Sequence, residues 1–124
     1  MLFPVNFVCY SQGNFGPQVV ARARERGAAR LALKALAYTR WPQGTDRTKT
    51  ATPKTWYQPV TDPELASLAL RFTLSEDITA AIPPGDEQIY RVALRLALGF
   101  RPLSAQERKQ LLGSAAGVEP IFRA

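Results

Sequence analysis

Apolar residues along this chain come in short unbroken runs separated by stretches of helical spacing, the pattern of strands alternating with helices. Three runs read as strands: residues 2 to 8 (LFPVNFV), 31 to 36 (LALKAL) and 78 to 82 (ITAAI). The middle run is the expected central strand, with Gly27 closing a helix before it and Pro42 and Gly44 opening a loop after it. It sets a single lysine, Lys34, among hydrocarbon. Alternation sends Ala32, Lys34 and Leu36 to one face and Leu31, Leu33 and Ala35 to the other. Pro4 and Asn6 share a face of the first strand, and in a parallel pair Asn6 is expected to face the way Lys34 does.

Helices are expected over residues 17 to 26, 62 to 75, 86 to 98 and 104 to 112. Pro17 suits the first turn of one helix and Gly27 the residue past its end. Asp62, Pro63 and Glu64 open the next, where Leu65, Leu68, Ala69 and Phe72 recur at i, i+3, i+4 and i+7. Asp86 starts a helix whose Ile89, Ala93 and Leu96 share a face, and Ser104 with Glu107 forms a capping box for the last. Residues 38 to 60 hold Trp41, Trp56 and Tyr57 without a clear period, which predicts a long irregular loop whose aromatics anchor it to its own domain or stack on a ligand.

Strands and helices in this order predict a parallel sheet joined by right-handed crossovers. With the strands side by side in sequence order, the connecting helices cover one face, and the face carrying Asn6 and Lys34 is expected to stay bare. Parallel sheets are normally covered on both faces, so a partner, a different strand order or a larger barrel is implied.

Composition narrows the picture. A chain of 124 residues with 46% hydrophobic content fits one domain over residues 1 to 124, short of the roughly 250 residues of a complete (β/α)8 barrel. The formal charge of +6 admits nucleic acid, anionic lipid or a phosphorylated cofactor. Much of the excess, however, is Arg22, Arg24, Arg26 and Arg30 alternating with Ala and Glu, the solvated side of a helix, which disfavours nucleic acid as a partner. The lone Cys9 forms no internal disulfide, and a chain without histidine offers no metal-ligand set. With no signal-like start and no apolar run of membrane-spanning length, a soluble cytoplasmic protein is expected.

The succession LFPVNFV, ARERGAARLALKALA, PELASLALRFTLSEDITAAIPPGDEQI and RPLSAQE resembles the C-terminal part of the aldo/keto reductases, NADPH-dependent oxidoreductases built on a (β/α)8 barrel. The resemblance spans about residues 2 to 113, with LALRFTLS followed by ITAAIPPG as its most specific block. It implies an α/β fold, a partial (β/α)8 TIM barrel comprising the last three β/α units, with about three parallel strands and helices on the outer face. It also implies NADPH as cofactor. By position, Asn6 and Lys34 correspond to the strand ends near the nicotinamide, and Pro84, Gly85, Asp86 and Gln88 to the turn and helix that hold the adenosine phosphate. Asp86 and Glu87 would oppose a 2′-phosphate there. No catalytic residue carries over, because the family's Asp, Tyr, Lys and His set lies on earlier strands.

Three functions follow as expectations. The chain is a reductase section lacking the catalytic half and inactive alone, completed by a missing N-terminal half. Alternatively, it is a non-catalytic module that self-associates as a homo-oligomer or binds a partner. In a third reading Lys34 forms a Schiff base, since desolvation lowers a lysine pKa.

Overall fold

The structure, a computed structural model, describes residues 1–124. Its element order is β1 (Leu2–Pro4), α1 (Phe7–Gly13), α2 (Pro17–Glu25), β2 (Leu31–Leu33), β3 (Ala37–Arg40), a 3-10 turn at Arg47–Lys49, β4 (Tyr57–Pro59), α3 (Pro63–Ser75), β5 (Ala80–Ala81), α4 (Glu87–Leu98) and α5 (Ala105–Ser114). The fold is α/β. Strands β1, β2 and β5 form a parallel sheet in that order, with Leu2 opposite Leu31, Leu31 opposite Ala80, and Pro4 opposite Leu33. Backbone bonds from Val5 N–H to the Leu33 carbonyl and from Ile82 N–H to the Ala32 carbonyl carry the ladder one residue further. No helix is long and apolar enough to cross a membrane.

The three strands and their order match the sequence pattern, but the elements around them correct it. The first strand stops at Pro4 instead of reaching residue 8, because Asn6 caps a helix: its backbone is extended (φ −144°, ψ 134°) and its Oδ1 accepts from Val8 and Cys9 N–H, each at 3.0 Å. The central strand ends at Leu33 instead of residue 36, and Lys34 takes the left-handed conformation (φ 69°). Within residues 38 to 60, expected to be irregular, β3 and β4 pair antiparallel, with Ala37 opposite Pro59 and Arg40 opposite Tyr57. The third strand narrows from residues 78 to 82 to Ala80–Ala81. Helices α2, α3 and α4 begin or end within a residue of expectation, and α5 runs two residues further.

Register also corrects the faces. Since Pro4 lies opposite Leu33, continuation of both strands would put Asn6 and Lys34 on opposite sides, and both in fact lie beyond the strand ends. The covered face is the one carrying Ala32, which packs with Val5, Val20 of α2 and Ile78. The bare face carries Leu2, Leu31, Leu33 and Ile82, with Leu2 58% exposed. At the other end of the sheet Arg30 ties the base together: its Nε and Nη2 donate to the Asp77 carbonyl (2.6 Å) and carboxylate (2.9 Å), and its N–H donates to Thr79 Oγ1 (2.9 Å).

Beyond the strand tips, α1, α3, α4 and α5 enclose the main core around Phe7, Leu36, Phe72 and Leu111. On α3, Ala69, Leu70 and Phe72 of the apolar stripe are buried and Leu65 and Leu68 half-buried, while Ala66, Arg71 and Thr73 are buried beyond it. Thr73 Oγ1 donates to the Val5 carbonyl at 2.8 Å, fixing α3 to β1. Arg71 makes a forked bond to Glu107 of α5 (2.9 and 2.7 Å) and also donates to the carbonyls of Arg101 and Pro102. Glu107 in turn accepts from Ser104 N–H, completing the expected capping box.

The Arg71 guanidinium, aided by the Ser104 N–H, pulls the Glu107 carboxyl down to about 2 from its ordinary 4.5. A depressed folded-state pKa stabilises the fold fully above the unfolded value, and that contribution is lost as pH falls from about 4.5 towards 2. Glu107→Gln is therefore expected to be less stable than wild type at pH 6, with the difference shrinking across that window. Urea unfolding at several pH values checks this, and a pH-independent difference would contradict it.

Candidate functional site

The turn that ends the central strand is set by Asn6. Its Nδ2 donates to the Lys34 carbonyl (2.9 Å) and the Ala37 carbonyl (2.6 Å), while Oδ1 caps α1, so every hydrogen-bonding position of this fully buried amide is occupied. Asn6 lies behind the site and positions it; its amide has nothing left to offer a cofactor. The Ala37 N–H closes the turn onto the Lys34 carbonyl at 3.0 Å, and the Val60 N–H bonds the Leu36 carbonyl at 2.9 Å, which brings the β4 side of the hairpin alongside.

The Lys34 side chain then projects over the hairpin's aromatics, with Nζ 4.8 Å from the centre of the Tyr57 ring and 5.3 Å from that of Trp56. It takes part in no ion pair. Partial burial pushes its pKa down, whereas the ring faces attract the protonated form. The result is an ammonium with aromatic walls and no counter-charge, at the C-terminal end of a parallel strand.

A cleft of about 190 Å3 opens here, lined by Lys34, Lys54, Thr55, Trp56, Pro84 and Gly85 among others. Thus the structure brings Lys34, Pro84 and Gly85 together, and separates them from the rest of the predicted set. Asp86 is buried and spends its carboxylate on its own helix, accepting from Gln88 N–H (3.1 Å) and Ile89 N–H (3.4 Å) as the α4 cap. Gln88 lines a different cleft, with Val92 and Arg95. The Gln88 and Ile89 N–H groups, which a phosphate would seek at this helix end, are already engaged.

Sequence reasoning missed Lys54 and Thr55 and left Trp56 and Tyr57 undecided between anchoring and stacking. The structure shows the anchoring: Tyr57 is buried, while Trp56 is partly exposed and meets Phe122 of the C-terminal segment (5.7 Å). Phe122 stacks on Phe15, and Phe15 on Phe3, so an aromatic row links the cleft to β1. The usable signal was the WY pair itself, two strand-favouring aromatics close to Lys54.

Chemically, the arrangement can hold an anionic group against Lys34 with a planar ring on the aromatic wall. Lys54 is paired with Glu87 at 3.5 Å on the rim. The Tyr57 phenol is pushed up by burial and then by the Asp86 carboxylate, away from proton transfer near neutral pH. Nowhere do three or more Asp, Glu or Cys side chains gather closely enough to hold a metal ion. The site and fold define an α/β protein with a cationic, aromatic cleft at its strand ends. No known family, curated protein or solved structure matches the chain.

Proposed function

We propose that this chain is a section of an aldo/keto reductase-like (β/α)8 barrel that contributes part of an NADPH seat and does not reduce carbonyls without further strands. The observation that carries the reading is the Lys34 cleft at the C-terminal ends of parallel strands, the end at which (β/α)8 barrels bind ligands. It is supported by the sequential order β1-β2-β5, by the packing of α2 on one face of that sheet, and by the apolar bare face that a barrel interior would fill. In this reading Lys34 meets an anionic group of the cofactor and Trp56 flanks its ring, while Asp86 keeps α4 capped and takes no part in phosphate binding.

Trp56 supplies the assay, since energy transfer from tryptophan to NADPH reports occupancy. Titration is expected to saturate, and Lys34→Met to weaken binding about tenfold or more, the worth of one charge-assisted hydrogen bond. Aldehyde-dependent oxidation of NADPH by the chain alone is expected to be absent. No saturable transfer in the wild type, or equal affinity in Lys34→Met, would overturn the reading.

The bare apolar face favours a second reading, a self-associating module with no chemistry. It predicts a melting temperature that rises with protein concentration.

A further inference from the structure

Helix α4 carries more apolar surface than the fold covers. On a helical wheel Ile89, Val92, Ala93 and Leu96 point into the protein, and the adjoining arc is also apolar: Tyr90, Leu94, Ala97 and Leu98. Ile89 and Ala93 are buried, but Leu94 is 48% and Leu98 90% exposed, with Tyr90 exposed at the other end of the stripe. Only Glu87, Gln88, Arg91 and Arg95 remain for a polar side. Leu94 is shared with an apolar groove of about 140 Å3 between the end of β5 and helices α3 and α4, lined also by Leu70, Leu74, Ile82 and Ala97. Along the far border of the stripe stand Arg91 and Arg95, one turn apart and in no ion pair.

We infer that the Tyr90–Leu94–Leu98 stripe and its groove seat an amphipathic helix of a partner protein that carries carboxylates along one flank. The stripe spans about 12 Å, two turns of a facing helix, so the partner presents apolar residues at i, i+3 or i+4, and i+7. The unpaired Arg91 and Arg95 select the charge of that flank. A lipid surface would meet the convex stripe but leave the concave groove beside Leu94 unfilled. The assignment does not depend on what the Lys34 cleft binds.

The test uses the full chain and two fluorescein-labelled helical peptides of about 20 residues, identical in their leucine stripe and differing in a Glu-rich or Lys-rich flank, followed by anisotropy. The Glu peptide is expected to bind about tenfold or more tighter than the Lys peptide, with the gap narrowing as salt rises. Leu98→Ser, at a side chain with almost no contacts to lose, is expected to abolish binding while leaving the melting temperature and the NADPH titration unchanged. The double variant Arg91→Glu, Arg95→Glu is expected to reverse the preference. Equal affinity for the two peptides, no saturable binding, or binding indifferent to Leu98→Ser would overturn the inference. So would binding to phosphatidylglycerol vesicles without peptide binding, or a dimer that Leu98→Ser dissociates.

Discussion

Asn6→Leu is expected to cost this protein about 4 kcal/mol, a large share of the stability of an ordinary domain. The substitution keeps the branching at Cγ and removes four hydrogen bonds at once. The N–H groups of Val8 and Cys9 are left buried without acceptors, at about 1–3 kcal/mol each, and the Lys34 and Ala37 carbonyls lose their shared donor. Because the same amide begins α1 and closes the Lys34 turn, hydrogen exchange is expected to speed up at Val8, Cys9 and Ala37 together. Asn6→Asp separates the two halves of the role: an acceptor remains for the helix, but an oxygen now faces two carbonyls at 2.9 and 2.6 Å. That carboxyl would have a raised folded-state pKa, so Asn6→Asp is expected to be least stable at neutral pH and to recover as pH falls below it. Urea unfolding of both variants measures this, and a loss under about 1 kcal/mol for Asn6→Leu would refute the keystone role.

Phe72→Ala is expected to cost about 3–5 kcal/mol, the range for emptying a buried aromatic site. Phe72 is fully buried on α3; the Tyr10 ring meets it edge-on at 5.3 Å, and the Arg108 guanidinium lies 4.6 Å from its centre. Arg108 is paired with Glu76 past the end of α3, so it is not free to follow a shrinking neighbour. Tyr10 is equally confined, since its ring occupies the place of a side chain at Gly16, where an added Cβ would fall 2.1 Å from Cε1 and φ is +132°. With both walls held, the cavity collapses little and the penalty stays near the top of the range. A fall of roughly 2 M in the urea midpoint is expected at constant slope. A shift a quarter that size would mean that the walls close in.

The parallel strands and helices α2 to α5 were legible in the sequence because their signals are local. Pro17, Asp62–Pro63, Asp86 and Ser104–Glu107 each declare a helix start within a few residues. The errors fall where a residue's role is decided across the fold. Asn6 reads as a polar residue inside a strand because apolar residues continue past it, whereas it caps a short helix that the left-handed Asn14 closes (φ 46°). Lys34 shows no local preference for a left-handed turn and adopts one because a side chain 28 positions earlier holds its carbonyl. Likewise β3 and β4 are joined by 16 residues, far from the tight turns that mark hairpins in sequence. Of the predicted site, Lys34, Pro84 and Gly85 came together because the ends of β2 and β5 do, whereas Asp86 and Gln88 were lost to the capping of α4.

The clamp that Arg30 makes at the foot of the sheet bears on how fast the bare face can be used. Bonds to Asp77 and Thr79 fasten the connection before β2 to the one before β5, so the strands keep their spacing with nothing seated on Leu31 and Leu33. A partner arriving there meets a finished template and forfeits little backbone entropy in docking. Association at this face is then governed by encounter and desolvation, without a folding step to wait for.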